Sequence, residues 1–70
     1  MKQEVIIYHL LPHPKGWCLM KRESSRLSRI VSTKREGEKV GNRLIKRYKK
    51  SRLFIHNSTG MIIDFIDHER

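Results

Sequence analysis

Four cations recur at intervals of 4, 3 and 4 residues in the second half of the chain: Lys39, Arg43, Lys46 and Lys50. On a helix, with about 100° per residue, these positions fall within an arc of about 60°. No acidic residue interrupts them, although like charges at this spacing repel one another on a helix. This cation stripe therefore predicts an acidic partner, and nucleic acid is the partner that we expect.

Positive charge is concentrated around the cation stripe. The chain of 70 residues has a net charge of +9, and residues 15–52 hold 14 Lys or Arg against three acids. Further candidate phosphate-binding residues flank the stripe or lie in or beside the second and third predicted strands: Arg35, Arg47, Lys21, Arg26 and Arg29. Such cations position a protein on a phosphate backbone without reading bases. We therefore expect binding to duplex DNA or RNA.

Binding of single strands is expected to be secondary, because it requires exposed rings in a basic groove. The apolar surroundings of Tyr48, Phe54 and Phe65 favour core positions for all three rings. Trp17, between Lys15 and Lys21, is the ring for which partial exposure is expected.

The sequence gives little support for a catalytic site or a metal site. The side chains that are chemically able to bind a metal ion are His9, His13, Cys18 and His56. The spacing of His9 and His13 suits zinc when both lie on one helix, whereas here it spans a strand end and a proline-flanked turn. Ser24, Ser25 and Ser32 have no histidine nearby in the sequence, and no glycine-rich phosphate loop is present. We therefore expect no catalytic residues, no metal or other cofactor and no small-molecule substrate.

The location that we expect is the cytoplasm. A single cysteine, Cys18, allows no internal disulfide and suits a reducing compartment. We expect neither a signal peptide nor a membrane span in the N-terminal residues.

The pattern of apolar residues predicts one α+β domain over residues 1–70. Strands are expected at about 4–11, 17–22, 27–31, 52–56 and 61–66, and a helix at about 33–50, in the order β-β-β-α-β-β. We expect one antiparallel sheet packed against the single helix. Thr33 and Glu36 have the spacing of a capping box at the helix start. The spacing of Gly37 and Gly41 on the apolar side predicts close approach of the helix to the sheet.

One helix covers one face of a sheet, so the other face is expected to remain free. Because an uncovered apolar face usually has a partner, homodimerisation is the account that we favour for it. This leads to the alternative function, a protein-interaction or assembly module that dimerises or docks through the free sheet face.

Several segments in order resemble a family. The segments HLLP (residues 9–12), GWCLMK (16–21), TKRE (33–36), SRLFIH (51–56) and GMI (60–62) are similar to the motifs of a small bacterial and phage family known as domain of unknown function 2188. Thr59 stands where the family usually has Asp, Gly37 and Gly41 replace helix alanines, and Leu10-Leu11 replaces a valine pair. The resemblance spans roughly residues 9–62; it implies the fold and supplies no function.

Overall fold

The structure of the protein is a computed structural model, which describes residues 5–23 and 27–70. The elements follow one another as β1 (Ile6–His13), β2 (Gly16–Lys21), β3 (Leu27–Val31), α1 (Lys34–Ile45), β4 (Lys50–His56) and β5 (Ile62–Glu69). The predicted α+β class and order of elements are confirmed. In the described residues, no helix has the length and apolar character to cross a membrane.

The five strands form a mixed sheet in the order β3-β2-β1-β4-β5. Strand β1 runs parallel to β4, whereas the other neighbouring pairs are antiparallel. The prediction of a purely antiparallel sheet is therefore wrong. The reason is the connection through α1: a crossover helix returns the chain to the end from which β3 started, so β4 runs in the same direction as β3 and β1.

The helix starts as predicted. Thr33 is the N-cap, and its Oγ1 accepts a hydrogen bond from the backbone N–H of Glu36 at 3.1 Å. The Glu36 carboxylate accepts a hydrogen bond from the backbone N–H of Ser32 at 3.2 Å, one residue before the position that the capping box predicts.

The helix ends earlier than predicted, at Ile45 instead of residue 50. The buried hydroxyl of Ser51 donates to the Ile45 carbonyl oxygen at 2.5 Å, and the Arg70 guanidinium donates to the Lys46 carbonyl oxygen at 3.1 Å. These bonds satisfy carbonyls that a longer helix would pair internally. Lys50 consequently is the first residue of β4, and the prediction that it continues the cation stripe along the helix is wrong.

Strand β1 also differs from its prediction, since it passes through Pro12 and ends at His13. Its register with β4 ends at the pair Leu10 and Ile55, whereas Pro12 still lies opposite Trp17 of β2. Proline lacks an N–H, so it is tolerated where one neighbouring strand is missing.

The core lies between α1 and one face of the sheet. Its buried side chains are Tyr8, Leu10, Leu19, Ile45, Leu53 and Ile55. The close approach predicted from the helix glycines is confirmed, since a Cβ on Gly37 would lie 2.5 Å from Cδ1 of Leu10. The opposite face of the sheet, called the open face below, has no helix against it in the described residues.

Candidate nucleic-acid interface

The outer side of α1 carries exposed cations at helical spacing. Arg35, Lys39 and Arg43 follow one another at intervals of four residues, about 6 Å along the helix axis. All three are exposed, as is Lys46 at the C-cap. In the described residues the one ion pair joins Arg52 and Asp67, so the charge of these four cations, called the helix surface, is not compensated by direct pairing.

A second group of cations lies where α1 ends. Lys46, Arg47 and Lys49 are exposed in the segment between α1 and β4. Arg70 joins them, because its backbone N–H donates to the Lys49 carbonyl oxygen at 2.9 Å and its side chain donates to that of Lys46. These four residues are called the basic end. Sequence reasoning missed Arg70, although antiparallel pairing of β4 with β5 necessarily returns the C-terminal residues to the start of β4.

The remaining predicted phosphate ligands are dispersed. Lys21 is half-buried, with its Nζ 5.5 Å from the centroid of the Tyr48 ring. Arg29 is exposed on the edge strand β3, and exposed Lys50 lies opposite Glu69 in the pairing of β4 with β5. Arg26 lies outside the described residues. The structure therefore places Lys39, Arg43, Lys46 and Arg47 along α1 and at its end, whereas Arg29 lies on the edge strand β3 and Lys50 begins β4 next to the basic end.

A tyrosine pair ties the basic end to the sheet. The hydroxyls of Tyr8 and Tyr48 are 3.3 Å apart, which connects β1 with the segment after α1. Burial, followed by the hydrogen bond and the charge of Tyr48, raises the pKa of Tyr8 to about 12, against smaller opposing effects of Ser28 and Arg47. The core position predicted for Tyr48 is confirmed, since it packs against the buried cluster.

The open face carries a row of rings that the sequence did not predict. His9 of β1 lies opposite Phe54 of β4, and Phe54 lies opposite Phe65 of β5. The ring centroids are 5.4 Å apart for His9 and Phe54, and 6.3 Å apart for Phe54 and Phe65. Phe65 is 49% exposed, so its predicted core position is wrong. Trp17 is half-buried and packs against the core.

Two arginines contact this aromatic row. The guanidinium carbon of Arg52 lies 4.4 Å from the ring centroid of Phe65 and 5.6 Å from that of Phe54. Arg22 approaches Phe54 to 6.0 Å. Asp67 forms a two-pronged ion pair with Arg52, with 3.1 Å between Nη2 and Oδ2, and its hydrogen bond raises the pKa of Arg52. Within the described part of the chain, Arg22 has no such acidic partner.

The histidines of the open face have defined hydrogen-bonding roles. Nδ1 of His56 is 2.9 Å from the Gly60 carbonyl oxygen, which can only accept, so this nitrogen carries a proton. In neutral His56, Nε2 then accepts from Nδ1–H of His9, 2.9 Å away. Burial, together with the charges of His56 and Arg22, lowers the pKa of His9.

His13 and Cys18, which are also capable of metal binding or nucleophilic chemistry, are a turn residue and a buried residue in this fold. Nδ1 of His13 accepts a hydrogen bond from the backbone N–H of Lys15 at 3.0 Å in the turn between β1 and β2. Cys18 is buried, and burial raises the pKa of its thiol, as expected for an unreactive cysteine. In residues 5–23 and 27–70, no three histidine, cysteine or acidic side chains are placed to share a metal ion.

Comparison with known proteins identifies a family. The model of a family described as an uncharacterized protein conserved in bacteria (DUF2188) matches residues 8–67. The chain belongs to this family. The DUF2188 match confirms the resemblance seen in the sequence and extends it to residue 67. No curated protein and no solved structure matches the chain. The DUF2188 description assigns no activity.

Proposed function

We propose that this DUF2188 protein binds nucleic acid through phosphate contacts made by the helix surface and the basic end. The observation that carries the proposal is the run of exposed cations on the outer side of α1, which have no ion-pair partner in the described residues. Arg35 and Lys39 stand near the helix start and mid-helix, where the helix dipole gives no reason for positive charge, whereas Arg43 lies in the last turn, where the dipole favours a cation. A ligand with dense negative charge supplies that reason.

Duplex DNA or RNA is the expected ligand of these two surfaces. A duplex carries one charge per about 1.7 Å of its axis, which is the densest phosphate array available. The helix surface consists of charged side chains, which hold phosphates but offer no ring on which a base could stack. Binding is therefore electrostatic, with little discrimination among sequences.

The test is a fluorescence-anisotropy titration of a labelled duplex DNA, a duplex RNA and the single strands across a salt series. A surface that engages about five to eight phosphates gives a log–log salt slope of roughly −5 to −7 on duplex DNA. The protein should bind at about 50 mM salt and lose most of its affinity by about 200 mM.

A pair of double variants separates the helix surface from net charge alone. Lys39→Glu with Arg43→Glu removes the middle of the helix surface, whereas Lys15→Glu with Lys34→Glu makes the same charge change in the β1–β2 turn and at the helix start. We expect the first double variant to lose duplex binding and the second to keep most of it. Equal losses would show that only net charge matters, and unchanged binding by the first would refute the proposal.

The alternative function, assembly through the open face, has one observation in its favour. Ile62 and Phe65 of β5, which lie opposite His56 and Phe54, are each about half exposed, and the occupant would be a second copy of this chain. Two copies each carry +9, and both arginines of the aromatic row lie at this face, so self-association is less favoured. Sedimentation velocity over a concentration series tests this, because a strict monomer excludes self-association through the open face.

A cytoplasmic location is part of the proposal. A buried, unpaired cysteine such as Cys18 suits a reducing compartment, where nucleic acid is also available.

A further inference from the structure

We propose that the open face is a second binding site, on which the aromatic row of Phe54 and Phe65 stacks the unpaired bases of single-stranded DNA or RNA. This inference goes beyond the proposed function, since it assigns base contacts to a different face of the molecule. It requires no contribution from the helix surface.

The rings of the aromatic row lie next to one another across three strands of the sheet. His9, Phe54 and Phe65 are register partners on β1, β4 and β5, and adjacent strands lie about 4.8 Å apart. The row therefore places three rings on one face: the His9 and Phe54 rings stack on each other at an interplanar angle of 26°, and the Phe65 ring is tilted by 58° against Phe54. His9 and Phe54 are half-buried and Phe65 is exposed, so Phe65 is the ring most accessible to a base. Exposed rings on a sheet are the usual platform for unstacked bases, because every base has a π-face.

Arg52 contacts the aromatic row and is paired with an acidic residue. Its guanidinium lies against both phenylalanine rings and is held by both oxygens of Asp67. The ion pair compensates the charge of Arg52 and holds its guanidinium over the Phe65 ring. A guanidinium plane can itself stack on a base. Arg52 thus covers one side of the phenylalanine rings, and a base would stack on the guanidinium or on the other face of Phe65.

Arg22 supplies a positive charge that can attract a phosphate group. It lies just beyond β2, where its backbone N–H donates to the Ile7 carbonyl oxygen at 2.8 Å. That bond continues the ladder by one residue, and the side chain reaches to 6.0 Å from the Phe54 ring. Arg22 is exposed and has no acidic partner in the described residues. A cation beside stacking rings is the combination that single-strand binding requires.

A second copy of the chain fits this face less well than a polyanion does. A dimer interface would bring Arg22 and Arg52 of two strongly basic chains together, against Asp67, which is already paired. Like charges placed together oppose association, whereas a phosphate backbone would be attracted.

The experiment measures binding of a labelled oligothymidine and of a labelled DNA duplex by wild-type protein, Phe65→Ala and Ile63→Ala. Ile63 is the matched control, because it is also about half exposed on β5 but has no ring. We expect Phe65→Ala to weaken binding of the single strand about 5- to 100-fold, as loss of one base–ring stack does. Duplex binding by this variant and all binding by Ile63→Ala should stay within about twofold.

A second variant gives a direct readout of stacking and does not depend on loss of function. Phe65→Trp keeps a ring at the site, so it should bind oligothymidine at least as well as the wild type, and the introduced indole should lose fluorescence on binding. Trp17 packs against the core and supplies only the background seen in wild-type protein. Arg22→Gln should weaken binding and reduce the salt slope by about 0.7, the value for one phosphate on a single strand.

The outcomes are distinct. Equal effects of Phe65→Ala and Ile63→Ala, or unchanged indole fluorescence in Phe65→Trp at saturating oligothymidine, would overturn the inference. So would dissociation of a dimer by Phe65→Ala in sedimentation without any change in single-strand affinity, which would make a second copy the occupant. Failure of the helix-surface proposal looks different, because there the wild-type protein does not bind the duplex, or its duplex binding is unaffected by Lys39→Glu with Arg43→Glu.

Discussion

A Cβ atom placed on Gly41 would lie 2.6 Å from Cδ2 of Leu53. It would also lie 3.0 Å from Cδ2 of Leu19, on a strand two places away in the sheet. Both leucines are fully buried, so neither methyl group has free space into which to move. The helix therefore sits on the sheet at a distance that only glycine permits.

We expect Gly41→Ala to destabilise the protein. Alanine gains about 1 kcal/mol of helix propensity over glycine, but overpacking two buried leucines costs about 1–3 kcal/mol. The net effect should be a loss of up to about 2 kcal/mol in the free energy of unfolding, measured by urea denaturation. Lys39→Ala on the exposed side of α1 is the control and should change stability by less than about 0.5 kcal/mol. A Gly41→Ala variant more stable than wild type would show that the leucines repack freely.

This close approach could be predicted from sequence, whereas the end of the helix could not. Two glycines on the apolar side of a helix are costly unless a neighbour needs the space, so their spacing carried the information. The residues after Ile45 include good helix formers and cations suited to a helix C-terminus, which favoured a longer helix. The helix end is instead stabilised by hydrogen bonds from Ser51 and Arg70, and no local sequence pattern indicates these bonds.

Ser51→Ala should lower stability through the helix end. The serine is 2% exposed, and its hydroxyl satisfies the Ile45 carbonyl oxygen. Its removal leaves this oxygen with only the longer hydrogen bond from the backbone N–H of Tyr48, at 3.3 Å, and the loss of one hydrogen bond costs about 0.5–1.5 kcal/mol. Chemical denaturation of Ser51→Ala should show this loss, and Ser58→Ala in the exposed β4–β5 turn should show almost none. Equal stability of the two variants would mean that water replaces the bond.

The histidine pair makes stability depend on pH. Because the pKa of His9 is lowered in the folded protein, the unfolded chain takes up its proton first as pH falls. Stability from neutral His9 is therefore complete above about pH 6.5 and is lost as pH falls below it toward the folded pKa. Thermal unfolding between about pH 7.5 and 5.5, where most carboxylates stay ionised, should show a falling midpoint. In His9→Gln the decline should be smaller, and an identical decline would assign it to other groups.

The tyrosine pair has the opposite dependence. A phenol with its pKa raised to about 12 stays protonated in the folded state after the unfolded chain, near pH 10, has begun to ionise. Stability is thus lost as pH rises from about 10 toward 12. In Tyr48→Phe, Tyr8 is the one tyrosine left in the chain, and its phenolate absorbance can be followed alone. Its midpoint should still exceed 10, since burial is the largest cause of the shift, and an ordinary midpoint would mean that Tyr8 is accessible to water.

The exposure of Phe65 on the open face could not be predicted from the pattern of apolar residues. A strand that is apolar on both sides predicts burial of both faces, and this placed Phe65 in the core. Phe65 lies on the open face, against which no described helix packs, and β5 is an edge strand with β4 as its one neighbour in the sheet. Strand order depends on the crossover through α1, which no local pattern reveals. The candidate aromatic site thus became visible only with the topology.

Two single variants distinguish the helix surface from the cation stripe that the sequence suggested. Arg43 is exposed on α1, whereas Lys50 lies in β4 opposite Glu69. If phosphates lie along α1, Arg43→Glu should weaken duplex binding strongly and lower the salt slope by about 1. Lys50→Glu makes the same charge change off the helix and should weaken binding much less. Anisotropy titrations across a salt series measure both effects. Equal loss in the two variants would place the phosphate path over β4 as well, and equal retention would remove α1 from the interface.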